Sequence, residues 1–323
     1  MTSQTTPAEP SPTQDLPGDL LAVDTLTAKM TKVTAGYLIT APRPTLVECG
    51  PALSIQSVIA GLRSIGMDPD DLAYLVVSHI HLDHAGGAGD IAAAFPNATI
   101  VCSELGAKHM VDPERLNASS KRVYGPLYDS VYGACTPIAQ DRIRAVGQRD
   151  VLDTGGGRRL ELFHAPGHAK HHIGIFDPDS GDLFVGDSVG VKMPGMSVVR
   201  PATPPPDFDY VLAKQTLKSY ADLQPARVYL AHYGAVEPPQ EALQEAGERL
   251  DLWMDAAEDA WSTQPDLDHV AETLGHRFAH EIAPASDDPD ARGRVELMGG
   301  AMSNAMGLTR YLQMKDEGRV ASD

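Results

Sequence analysis

The chain has 323 residues, 42% of them hydrophobic, and a formal net charge of −18. That charge argues against a surface for nucleic acid or anionic membrane, since both are bound through patches rich in Lys and Arg. The three cysteines, Cys49, Cys102 and Cys135, are scattered and lack CxxC spacing, which excludes a disulfide framework and fits a reducing compartment.

From the amino end, residues 1–20 are rich in Pro, Thr and Ser and are read as a disordered tail. They have no basic n-region or apolar h-region of a signal peptide, and no apolar run reaches the length of a membrane span. A cytoplasmic location is therefore expected. "LLAVDTL" and "AGYLIT" read as strands, and "TLVECG" runs into Pro51 and a helix over Leu53 to Ile65. "LAYLVVSH" is a short, β-branched apolar run, the pattern of a buried strand. "GDIAAAFP" reads as helix, "ATIVCS" as strand and "SELGAKHMV" as helix. Tyr124, Tyr128 and Tyr132 then recur at four-residue spacing. They read either as a packing stripe on one helix or, with the insertion Lys108 to Gln148 around them, as a lid over a substrate pocket.

"VLDTGGGRRLELFHAP" reads as two strands around a glycine turn, because Gly155, Gly156 and Gly157 lack the spacing and following helix of a phosphate-binding loop. "HHIGIFDPDSGDLFVGD" is a hairpin with Asp-Pro-Asp-Ser-Gly turn chemistry. "VLAKQTLKSYADL" is helical, and "ARVYLAHYGA" is a further buried strand. Beyond Pro238 the patterns are helical only. The domain reading is a tail over 1–20, a catalytic domain over 21–237 and a helical extension over 238–323 packed on the core.

The chemistry is concentrated at strand ends. "SHIHLDHAGG" places His79, His81, Asp83 and His84 directly after "LAYLVV". His164 and His168 follow "LELF", Asp187 follows "DLFVG" and His232 follows "RVYLA". In layered α/β folds, ligands gather where strand carboxyl ends open into loops. If the segment is extended, His79, His81 and Asp83 share one face while Ile80 and Leu82 point into the core. His84, out of step, is placed to serve a second ion. Neutral imidazoles and carboxylates are ligands that zinc favours, although manganese, iron, cobalt and nickel accept them as well.

With "HAPGHAKHHIGIF", "LFVGDSV" and "VYLAHYGA" following in order, the chain resembles the metallo-β-lactamase superfamily of metallohydrolases, in its glyoxalase II-like or lactonase-like branch, from about Tyr37 to Ala235. The resemblance implies an α/β fold of αββα sandwich type, here with a C-terminal helical extension that could serve as dimer contact or pocket wall. It implies two divalent metal ions, zinc first: His79, His81 and His168 on one, Asp83, His84 and His232 on the other, and Asp187 bridging. Glu48, in "TLVECGP" where relatives read Asp-Thr-Gly, would orient a ligand histidine. The implied reaction is attack of a metal-bridging hydroxide on a small ester-like substrate, whether a thioester, a lactone or a phosphodiester. Asp83 would orient the nucleophile, His172 is a candidate acid facing the substrate, and Tyr128, Tyr132, Met193 and Arg200 are candidate substrate contacts. For Arg200 the alternative is a solvated charge. An iron-dependent sulfur oxidoreductase resembling the persulfide dioxygenases is the alternative function. A scaffold that kept its metal for folding is a third. Relatives that reduce oxygen or nitric oxide at di-iron carry Glu where this chain has His81. The expected partner is a small molecule, with no nucleic acid and no membrane.

Overall fold

In the computed structural model, residues 9–282, 288 and 290–320 are described. The chain divides into two compact units, Met1–Ala145 with Asp153–Arg158, and Val146–Leu152 with Arg159–Asp323.

The first unit is built on a seven-stranded sheet. Its strands β1 (Thr13–Leu16), β2 (Leu20–Asp24), β3 (Ala35–Ile39), β4 (Thr45–Val47), β5 (Tyr74–Val76), β6 (Thr99–Ser103) and β7 (Ile143–Val146) lie in chain order. β1 to β4 run antiparallel, whereas β4, β5 and β6 are mutually parallel. The parallel pairs need crossovers, supplied by α1 (Ile55–Ser64) and then by α2 (Leu82–Ala85) with α3 (Ala88–Ala94). Val58, Ile59 and Leu62 of α1 join Leu46, Leu75, Ile91, Phe95 and Ile100 in one apolar core. α4 (Glu104–Val111), capped by the Ser103 hydroxyl, and α5 (Glu114–Tyr124) follow β6.

Three strands escape the sequence pattern. β1 lies inside the stretch read as a disordered tail, where it pairs with β2 through a Gly18 turn at φ 75°. Its side chains are mostly exposed, so no apolar alternation marks it. β7 is amphipathic only weakly, and the three-residue β13 (Gly234–Val236) is too short to show a period.

In the second unit a six-stranded sheet has the order β13, β12 (Arg227–Leu230), β11 (Asp182–Phe184), β10 (Ile173–Asp177), β9 (Arg158–His164) and β8 (Arg149–Gly155). β11 and β12 are parallel, joined by α6 (Tyr210–Asp222), and the neighbouring pairs β9/β10 and β10/β11 are antiparallel. α7 (Pro239–Thr263), α8 (Leu267–Arg277), α9 (Ala291–Met298) and α10 (Ala301–Asp316) complete the unit. Leu243, Leu250, Trp253, Val270, Leu274, Leu308 and Tyr311 share one core with Leu183, Val228 and Leu230 of the sheet and Leu217 of α6. The C-terminal helices are thus part of this unit's interior. No helix among the described residues is long and apolar enough to cross a membrane.

Burial pushes the thiols of Cys102 and Cys135 up to about 12, and raises Cys49 well above its ordinary value, with the neighbouring Glu48 charge adding to the effect. The neutral thiol is the form the fold favours. Its contribution is therefore complete below the unfolded pKa near 8.5 and is lost as pH rises toward the folded value. The melting temperature should fall between about pH 9 and pH 12, and native protein at pH 8 should react with a thiol reagent only after denaturant is added. Rapid labelling of the native protein would contradict this burial.

Candidate metal centre

Topology places the first group of ligands. β4 and β5 are adjacent and parallel with Val47 opposite Val76, so the residues that follow them emerge side by side. Glu48 follows the first and Ser78 and His79 the second. The Glu48 carboxylate accepts the Ser78 amide at 3.3 Å, and its own backbone sits in the left-handed region at φ 63°. His79 is fully buried, and its Nδ1 meets the Ser78 hydroxyl at 2.9 Å. That contact leaves Nε2 pointing onward, 2.8 Å from Nδ1 of His81.

The chain does not stay extended past His81. His81 itself is extended, at φ −65° and ψ 152°, but Leu82–Ala85 form the helical turn α2. Asp83 and His84 are therefore successive residues on a helix, and the expected alternation of His79, His81 and Asp83 holds only as far as His81. Ile80 and Leu82 are buried as expected. His84 presents Nε2 to Asp83 Oδ2 at 3.5 Å, while its Nδ1 lies 3.5 Å from Glu48 Oε1. Glu48 thus lies beside His84, the residue expected to be a metal ligand. Glu48, His79 and His84 each offer a donor atom, all within 4.8 Å of one another.

The second group lies in the other unit. Parallel β11 and β12 deliver Asp187 and His232 from neighbouring strand ends, and the β9–β10 connection brings His168 to the same end of this sheet. Gly167 in that connection, at φ 135°, presses on α6, where a Cβ would lie 2.4 Å from Ala213 Cα. The two oxygens of Asp187 face different imidazoles: Oδ2 is 3.7 Å from His168 Nε2, and Oδ1 is 3.5 Å from His232 Nε2. His168 Nδ1 meets the Ala202 carbonyl at 2.9 Å, which fixes Nε2 as the forward nitrogen.

These spacings fit a divalent cation. Zinc–nitrogen bonds of about 2.0–2.1 Å in a tetrahedron put neighbouring donors about 3.3 Å apart. The within-unit pairs lie at 2.8, 3.5, 3.7 and 3.5 Å. Two of the imidazoles, His79 and His168, also have Nδ1 hydrogen-bonded from behind, as metal-ligating histidines almost always do, and His84 Nδ1 lies 3.5 Å from Glu48.

Other expected roles are altered by burial. His172 is wholly enclosed, and its Nε2 accepts the Asp187 amide at 3.3 Å. Its ring is thereby tied to the main chain of Asp187. Arg200 is neither solvated nor open to an anion: it is 2% exposed, with Nε 3.3 Å from Glu281 and its guanidinium 4.8 Å over Trp253. Glu281 is shared with Arg249 at 2.9 Å and receives the Trp253 indole. Desolvation lowers the Arg200 pKa, partly offset by Glu281. Met193 is buried as well. Tyr128 and Tyr132 are not on one helix with Tyr124, which ends α5. They lie on a separate π-helical turn, and both are buried, with the Tyr132 ring 4.4 Å from that of Tyr124. Burial favours packing for this stripe. The arginine pair and the His172 contact join residues far apart in sequence, so no local pattern announces them.

The profile of the metallo-beta-lactamase superfamily matches residues 33–232, more than half of the chain. The chain belongs to this superfamily. The metallo-beta-lactamase fold-containing protein ST1585 of Sulfurisphaera tokodaii is 35% identical over 198 residues, covering 59% of this chain and 73% of that protein. An N-acyl homoserine lactonase of Agrobacterium fabrum is 26% identical over 180 residues, covering 55% of this chain and 64% of the lactonase. A hydroxyacylglutathione hydrolase of a Synechococcus species is 24% identical over 290 residues, 87% of this chain and 94% of that enzyme. The crystal structure of an archaeal superfamily protein from Sulfolobus tokodaii superposes with a TM-score of 0.67 at 24% identity, covering 90% and 97% of the two chains. The metallo-β-lactamase fold with C-terminal helices is thereby established, and with it a metal-dependent hydrolase bearing His and Asp side chains grouped to bind metal.

Arg200→Ala should destabilise the protein by about 3 kcal/mol in chemical denaturation, the lower end for breaking a buried pair because Arg249 still holds Glu281. A loss below about 0.5 kcal/mol would mean that Arg200 behaves as an exposed charge.

Proposed function

We propose that this chain is a dinuclear, zinc-dependent hydrolase of small carboxylic esters, with a thioester or a lactone as substrate. The observation that carries the reading is the Asp187 carboxylate, whose two oxygens each address a different imidazole, the arrangement a bridging ligand needs. On this reading His79 through Nε2, His81 through Nδ1 and His168 through Nε2 hold one cation. Asp83, His84 and His232 hold the other. When bound, such a pair supplies Lewis acidity and brings the pKa of coordinated water from about 15.7 to about 7.

The remaining work falls to the chain. Asp83, on the α2 turn beside His84, would accept a hydrogen bond from the attacking water and set its direction. Ser78, Glu48 and the Ala202 carbonyl hold three ligand rings in one orientation. His172 fixes the Asp187 main chain. The names of two relatives support the substrate class, since one is a lactonase and the other a hydrolase of acylglutathione. Neither points to a phosphodiester.

Metal analysis of the purified protein should return two zinc ions per chain. The same sample should hydrolyse lactone or thioester substrates faster than a p-nitrophenyl phosphodiester. Asp187→Ala should remove at least one metal and lower kcat by more than about 1,000-fold. A single iron with sulfur-dependent oxygen consumption would overturn the proposal, as would an Asp187→Ala enzyme that keeps two metals and full turnover.

A further inference from the structure

We propose that Asn304, on the C-terminal helix α10, is a positioning residue for the ligand His168, acting through one peptide group of the loop before α6. This inference rests on the reading of His168 as a metal ligand. The group is the Ala202–Thr203 peptide. Its carbonyl oxygen accepts His168 Nδ1–H at 2.9 Å, and its amide donates to Asn304 Oδ1 at 2.8 Å. A peptide unit is planar and its C=O and N–H point in opposite directions, so fixing one end fixes the other. Asn304 therefore sets the direction of the carbonyl that in turn sets the plane and tautomer of the histidine.

A second contact closes the remaining freedom. The Thr203 hydroxyl is 2.9 Å from Asn304 Oδ1 and 3.1 Å from the Asn304 carbonyl, so Thr203 is held by both its main chain and its side chain. His168, Thr203 and Asn304 are all buried, at 3, 1 and 4% exposure, and water cannot substitute for a lost partner cheaply. The helix also lies too close to admit an intervening side chain: a Cβ on Gly307 would come 1.8 Å from the Thr203 carbonyl oxygen. Elsewhere in the same loop, Arg200 is tied to Glu281, and the Lys192 amide donates to the His232 carbonyl. The segment between ligands Asp187 and His232 is thus anchored on Glu281 and Asn304, far later in the chain.

The electronic effect has the same sign as the geometric one. An amide that donates to Asn304 polarises its peptide, making the Ala202 oxygen a better acceptor. A better acceptor at Nδ1–H raises the basicity of Nε2 and so its affinity for a cation. A purely packing role predicts none of this.

The test compares Asn304→Leu, which removes the acceptor at similar volume, with Asn304→Asp, which keeps it, and with Thr203→Val, which loses only the hydroxyl bonds. Zinc affinity is measured by competition with a chromophoric chelator, alongside thermal unfolding of the metal-free forms. Asn304→Leu should weaken the more affected zinc by about 10-fold or more, the effect expected for removing support behind a ligand. Asn304→Asp, which keeps an acceptor, should hold the wild-type tautomer although its buried carboxylate lowers stability, and Thr203→Val should fall between. In metal-free protein, the ring nitrogen shifts of His168 should show the Nδ1–H tautomer in wild type and a mixture in Asn304→Leu. Unchanged zinc affinity and an unchanged tautomer in folded Asn304→Leu would overturn the proposal, leaving Asn304 a structural residue only. Should Asn304→Leu not fold, Asn304→Ala, which also removes the acceptor, decides on the same two measurements. Wild-type protein that binds no zinc yet shows the tautomer change would sink the functional reading while sparing the relay.

Discussion

An imidazole has two nitrogens, and a metal site depends on which of them is turned forward. In this chain the choice is made from behind. Ser78 holds His79, Glu48 holds His84 and the Ala202 carbonyl holds His168, each at Nδ1, so that Nε2 is the nitrogen presented. His81 departs from the pattern and offers Nδ1. Without these contacts each ring would populate two tautomers and several rotamers, and coordination would have to meet the ordering cost itself. The supporting atoms arrive by topology. Glu48 reaches His84 because β4 and β5 are parallel neighbours, and Asp187 reaches His232 because β11 and β12 are. Parallel pairing aligns strand carboxyl ends, and each aligned pair delivers residues that are distant in sequence to one place.

This explains which parts of the site were legible in the sequence. His79, His81, Asp83, His84, His168, Asp187 and His232 each follow a short apolar run, so strand period and ligand type appear together in one window. The expected helices over Leu53–Ile65 and 211–223 hold because their apolar spacing is strong and their ends are marked. What could not be read is the second tier. The Arg200–Glu281 pair spans 81 positions and the Thr203–Asn304 contact 101. An arginine at the start of a proline-rich loop has the local appearance of a surface charge, and only its neighbours in space show otherwise. The α2 turn was missed for a related reason. Three residues of alternation are compatible with an extended segment, and the main-chain bonds from Ala85 and Gly86 that bend it are invisible in the residue types. β1 carries so little apolar pattern that only its pairing with β2 defines it.

The helices after Pro238 are more than an appendage. Their apolar faces complete the core beneath β10 to β12, and Glu281 collects Arg200, Arg249 and the Trp253 indole at one buried carboxylate. Such a cluster is costly to desolvate, and replacing it with apolar residues is often neutral or better for stability. It ties down the loop that runs between the strand ends carrying Asp187 and His232.

Glu48 shows what the arrangement demands of the backbone. Its left-handed conformation costs a residue with a Cβ roughly 1–2 kcal/mol, a strain that glycine avoids and asparagine bears more easily. Neither could project a carboxylate as far as His84. What offsets the strain is the work of the side chain, which accepts the Ser78 amide and lies against His84 in a site closed to water.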